Sequence, residues 1–141
     1  MNRRQVLAAA FLGLMPWSLA RAEGGPTLEG VKWRLVELGK RGIPEEFAEE
    51  RALYLFFSTD RKQAAGFVGC NHIQAAYQRS GYALRFSRVA STRMACNTGY
   101  ELETYLLRTL EKVRGWWIHE GVLELLDQSG DVVARFVPME N

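Results

Sequence analysis

From Trp116 to Val137 the chain reads "WWIHEGVLELLDQSGDVVARF" and then Val137, a succession of apolar runs rich in strand formers, broken at Glu120-Gly121 and again at "DQSGD". Such breaks are turns, and short runs joined by turns are successive antiparallel strands. The same punctuation recurs upstream. "VKWRLVEL" alternates through Val31, Trp33 and Leu35, "ALYLFFS" and "QAAGFVG" flank a "TDRK" turn, and Tyr77 on one side and Leu84 and Phe86 on the other flank Ser80-Gly81. Between the first two strands, "GKRGIPEEFAEERA" reads as a loop with one helical turn over Glu45 to Glu50.

One segment has a different period. In "NTGYELETYLLRTLEKV" the residues Leu102, Tyr105, Leu106, Leu110 and Val113 recur at steps of three and four, which predicts a helix with one buried face and with Glu103, Arg108, Glu111 and Lys112 toward water. Thr98 and Glu101 have the spacing of a capping box at its start, and Gly115 is expected to end it. The count is therefore about eight short strands and one helix: an α+β class, mainly β, with an antiparallel sheet whose apolar face is covered by the helix or by its own curling.

The first 22 residues stand apart from this pattern. Arg3 and Arg4 precede an uncharged stretch from Val6 to Ala20, and Ala20-Arg21-Ala22 supplies the small-residue site at which a signal peptidase would cut. The expectation is a leader over 1–22, in part similar to a twin-arginine export signal, and one domain over 23–141. The apolar run is short and interrupted by Pro16, which excludes a comfortable membrane span of about 20 residues. Removing three arginines and no acid from 18 basic and 16 acidic residues leaves a formal charge of −1. A basic partner-seeking surface, and with it nucleic acid, is excluded for the mature part.

Two cysteines in an exported chain are most simply one disulfide, Cys70 to Cys96, worth about 3.5 kcal/mol on the chain-entropy model. Two other chemistries use the same residues. A nucleophilic Cys70 would need a base, for which His72 and His119 are candidates, and an orienting third group. A soft metal site could draw on Cys70, His72, Met94 and Cys96, although their spacing matches no closed zinc pattern and "DQSGD" lacks the ligand pattern of a calcium loop. On the structural reading His72 is an exposed turn residue, Met94 packs in the core, and Asn71 bonds its own local backbone. Trp33, Trp116 and Trp117 could line a groove. Neighbours on a strand point to opposite faces, so one of Trp116 and Trp117 stays outside the core as the better candidate for an interaction surface.

"GFVGCNHIQAAY", then "STRMAC", then a helix containing Glu103, then "LELLDQSGDVVARF" resemble the META/HslJ family of small exported or lipid-anchored domains, with the likeness running from about Leu28 to Val137. The residues that carry it are Gly69, Cys70, Asn71 and Tyr77 in the first stretch, and Ser91, Thr92, Met94 and Cys96 in the second. The resemblance implies a lipocalin-like sheet curled into a partly open barrel and packed on one helix. It implies no catalytic residues, and associates the family with heat or envelope stress, drug tolerance and motility. Where the family usually has glycine, this chain has Ala75, which would be strained if that position needs positive φ.

The expected function follows from these readings. The chain is expected to be a monomeric, non-enzymatic periplasmic or secreted domain without cofactor or metal, binding an envelope protein, a peptide or a small ligand, with Trp116, Trp117 and His72 as the candidate surface. A protease-inhibitor module with a disulfide-pinned loop, and a metal or redox protein, are the alternative functions.

Overall fold

Alternation decides which side chains meet. The computed structural model describes residues 27–140. It contains strands β1 (Lys32–Leu38), β2 (Arg41–Gly42), β3 (Tyr54–Phe57), β4 (Gln63–Phe67), β5 (His72–Ser80), β6 (Ala83–Ser91), β7 (Gly115–His119), β8 (Val122–Leu126) and β9 (Val132–Pro138), with helix α1 (Tyr100–Lys112) between β6 and β7. The leader expected over 1–22 lies outside the described residues.

Each pairing is antiparallel, and the order β1-β3-β4-β5-β6-β7-β8-β9 returns to β1 through a long β1–β9 ladder from Trp33↔Pro138 to Leu38↔Ala134. Eight strands thus close into a ring, and β2 is a short hairpin extension of β1. The ring is not a uniform barrel. Between β6 and β7 the only register pair is Ala83↔Gly115, so this seam is where the expected partial opening falls.

Every second side chain enters the ring. Trp33, Leu35, Leu55, Phe57, Tyr77, Leu84, Leu123, Leu125 and Phe136 form its buried interior, each contributing on the order of 1.5–3 kcal/mol of gross burial free energy. The outer face alternates in charge: Arg135 on β9 pairs with its cross-strand neighbours Glu37 on β1 and Glu124 on β8. Helix α1 places Leu106 and Leu110, and Val113 just after it, in the same core, while its Tyr105 hydroxyl lies against Gly39 at the end of β1. The helix therefore closes the end of the ring at which β1 and β4 finish.

Three local expectations are corrected. Thr98 makes no capping bond; Gly99, with φ +100°, is the N-cap, and the Thr98 hydroxyl instead accepts from Arg51. The helix ends before Gly115, which opens β7. Ala75 lies inside β5, opposite Ala64, without positive φ, so alanine carries no backbone strain there. The acidic segment does form a single 3-10 turn, Glu45–Phe47, which inserts Phe47 into the core.

Tyr77 carries a pH dependence. Its ring meets Phe57 edge-on at 5.2 Å, its hydroxyl donates to the Ser58 carbonyl, and burial, then the nearby Glu29 carboxylate, raise its pKa above the usual 10. A raised value means that the unfolded chain releases this proton first, so the contribution is intact below about pH 10 and lost as pH rises through the folded-state value. Denaturation midpoints should fall as the pH rises above about 10 more steeply for the wild type than for Tyr77→Phe, and equal slopes would refute the assignment.

Candidate functional site

The turn between β4 and β5 is built from "VGCN". Gly69 adopts φ +130°, Val68 N–H donates to the Asn71 carbonyl at 3.0 Å, and the chain reverses in minimal space. That space is set by the helix start: a Cβ on Gly69 would lie 2.6 Å from the Gly99 carbonyl oxygen, and one on Gly99 would collide with the Gly69 carbonyl. Two glycines thus let the turn and the N-terminus of α1 touch backbone to backbone. Arg51 closes the contact from outside, donating to the Gly69 carbonyl and to Thr98 Oγ1 at 3.1 Å each, with its guanidinium over the Phe47 ring.

Glu103 lies beneath that contact. It is only 7 % exposed, contrary to the expectation that it faces water. Its Oε1 accepts from the Cys70 and Asn71 backbone N–H groups at 2.9 and 2.7 Å, and its Oε2 accepts from the Asn71 side-chain amide at 2.8 Å. The carboxylate thereby fixes the orientation of the amide. Asn71 Oδ1, turned the other way, accepts from Thr92 Oγ1 at 3.0 Å and from Met94 N–H at 2.7 Å. Thr92 Oγ1 accepts in turn from His72 N–H. A single donor-to-acceptor direction runs from the segment after β6, through Asn71, to the helix.

The disulfide completes this clamp. Cys70 and Cys96 are joined with their Cα atoms 5.9 Å apart, within the range a disulfide spans. Tyr100 donates its hydroxyl to the Met94 carbonyl and accepts from Cys96 N–H. The Thr92, Met94 and Cys96 N–H groups and the Met94 carbonyl are thus engaged here, while residues 92–95 stay exposed.

Several candidate residues sit differently from the sequence reading. Asn71 is 5 % exposed and bonds across the fold instead of locally. Met94 uses its backbone, while its side chain is 53 % exposed and not in the core. His72 is exposed at the start of β5 with its ring 5.2 Å from Phe67, and His119 is exposed beside Glu120. Ser91 is exposed and pairs with Ile73 at the end of β6. Neither cysteine retains a thiol, so the nucleophile reading loses its reactive group, and among the described residues no His, Cys, Asp and Glu cluster could hold a metal ion.

Trp33 is fully buried with its indole N–H on the Leu28 carbonyl, and so lines no groove. Trp116 turns inward and donates to the Gly81 carbonyl, with Arg79 stacked over its ring. Trp117 turns outward, 44 % exposed, and its ring lies 4.9 Å from that of Tyr82, itself 59 % exposed. These two form an aromatic step at the thin β6–β7 seam.

Sequence reasoning missed Glu103 and Arg51. For Glu103 a signal existed: it precedes Leu106 by three and Leu110 by seven, which puts a carboxylate on the apolar stripe of α1. Arg51 had none, since its partners are set by tertiary contact.

A family model described as the META domain matches residues 26–140. Among solved structures, an NMR structure of a protein from Burkholderia xenovorans is similar at 23 % identity and a TM-score of 0.63, covering 90 % of this chain and 100 % of that one. A crystal structure of a DUF4847 family protein from Bacteroides vulgatus is similar at 14 % identity and a TM-score of 0.54, covering 78 % and 93 %. These likenesses establish the fold. No curated protein matches the sequence. Among the described residues no helix is long and apolar enough to cross a membrane.

Proposed function

This chain belongs to the META domain family, and we propose that it is an exported, non-enzymatic envelope domain, associated with stress, that binds a partner through the Tyr82–Trp117 step. The observation that carries the reading is this pair of large exposed aromatic rings, packed at 4.9 Å with their planes tilted by 51°, at the thinnest seam of an otherwise closed ring. Exposed Trp and Tyr are the residue types that anchor interfaces. Two further features support it: a disulfide is compatible with an oxidising compartment, and the polar groups of the motif are engaged in holding the fold.

Capture from envelope extract tests the surface. The mature domain should retain a specific partner that Trp117→Ala loses by about tenfold or more, with both proteins equally folded. Equal recovery by wild type and variant would remove this surface from consideration. Fractionating cells that express the full chain tests export separately: the chain should appear outside the cytoplasm, shortened by its leader and without a reactive thiol.

A further inference from the structure

A groove of about 840 Å³ runs between α1 and the β1–β2 turn, on a different part of the molecule from the Tyr82–Trp117 step. Its size is within the range of about 300–1,000 Å³ typical of small-molecule sites. One wall is a stripe of α1, where Glu101, Tyr105, Arg108 and Lys112 follow at steps of four, three and four. The facing wall brings Arg41 and Pro44, and Leu38 and Leu102 supply apolar lining.

The charge in this groove is unspent. Arg79 and Arg135 each have a carboxylate within 4.0 Å, whereas among the described residues Arg41, Arg108 and Lys112 have none. Three cations line the groove against one acid, Glu101, which stands a turn and more away along the helix from Arg108. The Arg41 guanidinium lies over the Tyr105 ring at 5.0 Å, so the cationic end and the aromatic lining adjoin each other. Tyr100, 45 % exposed, adds a second aromatic ring toward the Glu101 end.

We propose that this groove binds a small amphiphilic organic anion, with its acidic head at Arg41, Arg108 and Lys112 and its flat apolar body along Tyr105 and Leu102. A guanidinium meets an oxyanion with two parallel N–H donors, and an aromatic wall accepts a planar body, so one ligand with both parts satisfies both ends. A neutral apolar molecule would leave the cations uncompensated. A bare inorganic anion would leave the apolar wall unused.

The probe is 8-anilinonaphthalene-1-sulfonate, compared with the uncharged N-phenyl-1-naphthylamine. The folded domain should bind the sulfonate saturably at one site, with amide shifts in an NMR titration centred on Tyr105 and Arg108. The Arg41→Ala, Arg108→Ala double variant should weaken it by about tenfold, as loss of two charge-assisted contacts predicts. Both side chains are exposed, so an unchanged unfolding transition is expected for the variant. The uncharged dye should bind wild type about tenfold more weakly, and Trp117→Ala should leave sulfonate binding unchanged. Binding that survives the double variant, shifts centred elsewhere, loss of binding in Trp117→Ala, or absence of saturable binding would each overturn the proposal. The Trp117 arm separates its failure from that of the partner surface.

Discussion

Glu103→Ala is expected to lower the unfolding free energy by about 4 kcal/mol, measured by denaturant titration at neutral pH. The substitution removes the acceptor for two backbone N–H groups and one amide N–H in a site where the carboxylate is 7 % exposed. A buried donor left without a partner costs about 1–3 kcal/mol, and three are orphaned together. Glu103→Gln is the sharper probe. It can keep an oxygen for Cys70 and Asn71 N–H, yet its amide nitrogen then faces the Asn71 amide nitrogen, donor against donor. Flipping Asn71 gives no relief, because its nitrogen would then face Met94 N–H, which Asn71 Oδ1 now accepts. The glutamine variant should therefore lose about 2 kcal/mol despite its near-identical shape, while Glu101→Ala, at an exposed position two residues nearer the helix start, should lose less than about 0.5 kcal/mol. A loss under about 1 kcal/mol for Glu103→Ala would mean that the carboxylate does not organise the clamp.

The contrast between Glu101 and Glu103 also shows what the chain reveals of itself. Hairpins were legible because their causes are local: Glu120-Gly121 sits between β7 and β8, with both residues at positive φ, and Gly81, also at positive φ, reverses the chain with Tyr82 between β5 and β6, one residue beyond the expected Ser80-Gly81. The pairing of the cysteines was legible because only one connectivity exists. The clamp was not, since its donors lie 32 and 33 residues before the acceptor, and nothing in a helical period says which loop will present N–H groups to it. Thr98 and Glu101 satisfied a capping rule that Gly99 overrode, because the close approach to Gly69 demands a residue without Cβ at the position that begins the helix. Ring closure by β1 and β9 was equally hidden, as strands so far apart in sequence carry no mutual signal. The family resemblance supplied the curled sheet that element counting alone left open.

Loss of the disulfide, by reduction or by Cys70→Ala with Cys96→Ala, is expected to cost about 3.5 kcal/mol for a closed loop whose ends are 26 residues apart. The domain should nevertheless stay folded. The turn and the 92–96 segment remain joined through Asn71, whose two faces are held by Glu103 and by Thr92 and Met94. Bridge and carboxylate act on different states: the first restricts the unfolded chain, the second satisfies donors in the folded one, so their losses should add nearly in full. Together they amount to about 7–8 kcal/mol, which reaches the lower part of the 5–15 kcal/mol range of whole-domain stability. Glu103→Ala under reducing conditions should therefore show no cooperative thermal transition above about 37 °C, although each change alone leaves one. If reduction leaves the transition of Glu103→Ala where it was, the disulfide contributes nothing to this scaffold, and the clamp of hydrogen bonds is the sole device that joins the β4–β5 turn to the segment after β6.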